Sequence, residues 1–75
     1  MKIFSENDVI CLQGVTEVHV IGKECTFIVP KGSTGTVVLV HEYPNEPLAY
    51  EVEFFIPEQN CHALATVDVS LADVV

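Results

Sequence analysis

Gly35-Thr36-Val37-Val38-Leu39-Val40, followed after a proline- and asparagine-rich break by Tyr50-Glu51-Val52-Glu53-Phe54, is the stretch on which the fold turns. The second half alternates strictly, so Tyr50, Val52 and Phe54 point one way and Glu51 and Glu53 the other. The first half is apolar at consecutive positions, which simple alternation does not explain. A strand covered on both faces or a β-bulge would produce that run, and in a tightly coiled barrel the bulge fits better. The two halves read as a β-hairpin, and in a chain of 75 residues they point to one small all-β barrel spanning residues 1–75.

Outward from that hairpin, the other segments are short and extended. Val9-Ile10-Cys11-Leu12 is a first strand after the polar lead-in Ser5-Glu6-Asn7-Asp8. Residues 16–29 alternate weakly on either side of Gly22-Lys23, giving an extra hairpin or a long extended loop. Pro30-Lys31-Gly32-Ser33-Thr34-Gly35 is a breaker cluster, in which proline presets one angle and the glycines supply conformations other residues avoid. The prolines of Tyr43-Pro44-Asn45-Glu46-Pro47 exclude regular ladder pairing there. Pro57-Glu58-Gln59-Asn60 turns the chain into a strand from Cys61 to Val69. A single helical turn at residues 70–73 then precedes a terminal strand at Val74-Val75. No segment holds a 3.6-residue period of useful length.

Charge excludes more functions than it suggests. Three lysines and no arginine stand against eleven acids, for a formal charge of −8. Binding to phosphate backbones works by displacing condensed counterions with cations, and Lys2, Lys23 and Lys31 make no such footprint. The expectation is no nucleic acid and no membrane partner. The apolar runs fall short of the roughly 18 residues that a spanning helix needs. Met1-Lys2-Ile3-Phe4-Ser5-Glu6 has no secretory apolar region, so the expected location is cytoplasmic. An acidic surface suits a basic protein partner.

The order of elements resembles a family. Phe4-x-Glu6-x-Asp8-Val9-Ile10-x-Leu12, Pro30-x-Gly32-x-x-Gly35-Thr36-Val37-Val38-x-Val40, Ala49-Tyr50-Glu51-Val52-Glu53-Phe54, Thr66-Val67 and Leu71-x-x-Val74 are similar to a small bacterial family known as domain of unknown function 4926, whose members resemble SH3-like barrels. The likeness covers most of the chain outside residues 14–29 and 55–62, and the segment between Leu12 and Pro30 is longer than the family's. It implies a five-stranded, strongly bent antiparallel barrel. The glycine turn serves RNA or ribosome binding in KOW-type barrels of similar sequence. The charge balance argues against that role here, and a glycine turn that opens a strand lacks the helix N-terminus of a phosphate cradle.

Candidate sites are few. His19, His41 and His62 with Cys11, Cys25 and Cys61 contain zinc-ligand chemistry, but without the close CxxC or HxxxH pair of a structural site. The nearest approach is Cys61-His62, whose side chains face opposite sides of a strand. The cysteines read as small buried hydrophobes, and no metal or cofactor is expected. No GxSxG elbow or paired-carboxylate signature appears, and a barrel filled by its own side chains leaves little room for a pocket. The expected function is therefore a non-enzymatic protein-interaction module, docking on a basic partner or forming a homodimer. The alternative is a small-molecule or metal-binding accessory domain using Cys61 and His62. Glu42, Glu51 and Glu53 are expected on the outer face of the hairpin, with Tyr43 and Phe55 as aromatic anchors at its rim. Val18, Val20, Phe27 and Ile28 exceed what a small barrel can cover, which suggests self-association through residues 16–29.

Overall fold

A computed structural model describes residues 3–42 and 49–75. The strands are β1 (Val9–Leu12), β2 (Thr16–Val20), β3 (Thr26–Val29), β4 (Thr34–His41), β5 (Ala49–Ile56), β6 (Cys61–Asp68) and β7 (Ala72–Val74). Two 3-10 turns, Pro57–Gln59 and Val69–Leu71, join the last three. The class is all-β, with no α-helix among the described residues.

All seven strands belong to one antiparallel sheet in the order β3-β2-β6-β5-β4-β1-β7. Residues 16–29 are thus a true hairpin, which extends the sheet past β6 through His19 opposite Leu64 and Val20 opposite Ala63. Every strand contributes to one buried cluster, from Ile10 and Leu12 in β1 to Ala72 in β7. Among the described residues no helix or second sheet covers that cluster, and the sheet curls over its own inner face into a half-barrel.

Particular residues make the curl possible. Ala63 and Ala65 face inward opposite the larger Phe54 and Val52, and this small-against-large pairing lets neighbouring strands bend together. Gly35 acts likewise. Its backbone angle is unremarkable, unlike that of Gly32 at φ 90°, but a Cβ there would lie 2.6 Å from Val52 and 2.7 Å from the Phe54 ring. The expectation that both glycines serve the turn is corrected: Gly32 does, while Gly35 allows β4 to lie against the core.

The apolar run in β4 contains the bulge. Val37 pairs with Val52 and Leu39 with Glu51, so Val38 is an extra residue. Val37 is buried while Val38 and Leu39 both lie exposed, which is why alternation fails there. At the barrel end Phe4 packs on Tyr50 with ring centroids 5.0 Å apart, and its backbone N–H donates to the Tyr50 hydroxyl at 3.0 Å.

Two further expectations change. Val18 and Val20 are core residues, because β2 turns that side of its alternation inward over β6. They are not available on the surface of an isolated chain; Ile28, on the opposite side of the ribbon, is 63% exposed, and Phe27 is half-buried against the core. Cys25 is exposed because it precedes β3 in the hairpin connection, whereas Cys11 and Cys61 are half-buried. Among the described residues no helix is long and apolar enough to cross a membrane.

Candidate functional site

With Tyr50, Val52 and Phe54 turned inward, strand parity sends Glu51, Glu53 and Phe55 to the outer face of β5. Their neighbours are set by register. Glu51 lies between Leu39 and Thr66, and Glu53 between Thr36 and Leu64. Across these strands no two glutamates oppose one another, so the repulsion expected between facing acids is avoided.

Each acid meets a histidine on the diagonal instead. His41 Nε2 lies 3.2 Å from Glu51 Oε1, which also accepts from the Thr66 hydroxyl. His62 Nδ1 lies 2.9 Å from Glu53 Oε2. The His62 ring also packs on Phe55, with centroids 5.1 Å apart at 56°. Glu53, His62 and Phe55 therefore form one contiguous cluster on the exposed face of β5 and β6. The other oxygen of Glu53, Oε1, has no hydrogen-bond partner among the described residues.

Phe55 is 51% exposed and separates two open grooves. The first, about 450 Å³, is lined by Val9, Thr34, Thr36, Val38, Glu53 and His62 beside the Phe55 ring. The second, about 430 Å³, runs between Phe27–Pro30 on one side and Ile56, Pro57 and Glu58 on the other. The inner face is filled as a small barrel requires; the concavities lie on the outside, which sequence alone does not disclose. Among the described residues, neither groove has a lysine in its lining. No lysine or arginine follows Lys31, while Glu42, Glu46, Glu51, Glu53, Glu58, Asp68 and Asp73 do. That segregation is readable in the sequence: the strands β4 to β7 themselves carry acids and no lysine or arginine.

Among the predicted site residues, Glu51, Glu53 and Phe55 share this face, Glu42 is exposed just beyond β4, and Tyr43 lies outside the described residues. Val9, Val38 and His62 belong to the face without having been singled out for it; the signals were the parity of β1 and β6 and the bulge in β4. Among the described residues no three His, Cys, Asp or Glu side chains gather where they would hold a metal ion. Cys61 packs on the core, while His62 points outward. No family model, curated protein or solved structure matches the chain.

Proposed function

We propose that this protein is a non-enzymatic, cytoplasmic protein-interaction module of the SH3-like class, and that it docks a basic protein partner through the outer face of β4, β5 and β6. The observation that carries this reading is the Glu53–His62–Phe55 arrangement, an acidic and aromatic patch on strands that carry no Lys or Arg. Exposed aromatic side chains held rigid lose little entropy on binding, and this makes them effective anchors. The unbroken run β7-β1-β4-β5-β6, which remains when the β2–β3 hairpin is set aside, supports the SH3-like reading. The same excess of acid argues against nucleic acid as the partner.

Capped octalysine is a suitable probe of the face. Saturable binding at low salt is expected, weakening as added salt screens the charges. Glu51→Gln with Glu53→Gln should weaken it about tenfold, or about 1.4 kcal/mol, while Glu17→Gln with Glu24→Gln on the β2–β3 ribbon should leave it unchanged. Equal losses in the two double variants would show diffuse charge attraction and defeat the proposal.

Self-association through residues 16–29 is a second reading, favoured by one observation. β3 is a sheet edge carrying the exposed Ile28, and edge strands pair readily with other chains. Light scattering should then give a dimer mass at high micromolar concentration, lost in Ile28→Lys. A monomer throughout that range would dispose of this reading.

A further inference from the structure

We propose that the two grooves beside Phe55 read a single extended peptide, a lysine or arginine entering the first and an apolar side chain two residues away entering the second. This rests on the docking reading above and specifies its ligand. In an extended segment, side chains at positions i and i+2 lie on one side, about 7 Å apart. Such a pair can straddle one aromatic side chain, and Phe55 is the one side chain that forms the ridge between both grooves.

The first groove has the chemistry for a cation on an aliphatic stem. His62 fixes the Glu53 carboxylate through Oε2 and leaves Oε1 to accept from a guanidinium or ammonium group. Val9 and Val38, both partly exposed, offer apolar surface to the stem, and Phe55 offers its ring to the charge. Thr34 and Thr36 add hydroxyls along the floor. Phe27, Val29, Pro30, Ile56 and Pro57 give the second groove apolar surface for the peptide's apolar side chain, beside the polar Ser33, Glu58 and Gln59. An acid in each groove, with no lysine among the described lining residues of either, selects against an anionic ligand. A second copy of this chain would bring its own charge of −8 to an acidic surface. Both concavities are open along their length, which suits a chain lying across them better than an enclosed small molecule.

The test uses the isotopically labelled full chain and a short capped peptide with arginine and leucine two residues apart. Three altered peptides accompany it: glutamate for arginine, serine for leucine, and the two residues made adjacent. Amide shifts should saturate together at residues 34–36 and 53–55 and at residues 27–30. Affinity should fall at least tenfold for each altered peptide and for Phe55→Ala. Glu53→Gln, which keeps the side-chain shape, should lose preference for arginine over its uncharged analogue citrulline. Shifts confined to one groove, indifference to spacing, or no saturable binding would overturn the proposal. If the peptide fails while octalysine still depends on Glu51 and Glu53, the docking face stands and the two-groove ligand falls. If octalysine is indifferent to those acids and the peptide does not bind saturably, both readings fall.

Discussion

Tyr50→Ala is expected to remove most of the stability of this protein. A domain of this length is held by about 4–11 kcal/mol, and deleting a fully buried aromatic side chain costs about 3–5 kcal/mol. Tyr50 is completely buried in β5, packs on Phe4, and accepts the Phe4 N–H through its hydroxyl at 3.0 Å. Tyr50→Phe isolates that last contact. The ring stays, but a buried backbone N–H loses its acceptor, for a cost of about 1–3 kcal/mol. Urea unfolding at 25 °C should therefore rank the wild type above Tyr50→Phe and that variant above Tyr50→Ala. A Tyr50→Phe midpoint equal to that of the wild type would mean that the Phe4 amide is not secured by this hydroxyl.

Gly35→Ala is the second large effect, and its mechanism is overpacking. The added methyl would sit 2.6 Å from a Val52 methyl and 2.7 Å from the Phe54 ring, closer than carbon atoms approach. Neither neighbour has a free end to swing away, since both are buried in the centre of the sheet. The expected cost is about 1–3 kcal/mol or somewhat more. Gly14→Ala is the control: a Cβ there meets nothing within 4 Å, and the backbone angle is ordinary. That change should be neutral or slightly stabilising. Shortening the ring supplies a second check, because residues in contact are energetically coupled. Gly35→Ala should cost less in a Phe54→Leu background than in the wild type. Equal costs in both backgrounds would show that the ring is not what the methyl meets.

The sequence predicts much of this architecture because burial on one face imposes a period of two. Tyr50, Val52 and Phe54 alternate with Glu51 and Glu53, and from that alone the inner and outer faces of β5 follow. The bulge was legible as a failure of alternation at Val37-Val38-Leu39, though not which residue was extra. The ribbon was harder. Val18 and Val20 carry the same pattern whether they cover a neighbouring strand or wait for another chain, and only the pairing of β2 with β6 decides between these. Gly35 was obscured by its position beside a turn, where a glycine needed for close packing looks like one needed for its backbone freedom.

The site was legible in part for a related reason. Parity and charge placed Glu51, Glu53 and Phe55 on one outer surface. They do not indicate that His62, from the next strand, ties Glu53 to Phe55, since that depends on the register of β5 against β6. Grooves are more remote still. They form where distant segments meet, as Phe27–Pro30 meets Ile56–Glu58, and no local pattern records such a meeting.

We propose a division of labour between two faces of one sheet, in which the inner face holds the fold and the outer face, around Phe55, holds a partner. Phe55→Ala tests it most directly, with urea unfolding and titration of the arginine–leucine peptide measured on the same sample. The account predicts stability within about 1 kcal/mol of wild type, the cost of one exposed aromatic contact, together with at least a tenfold loss of affinity. Unchanged affinity, or a loss of stability on the scale of a core deletion, would contradict it.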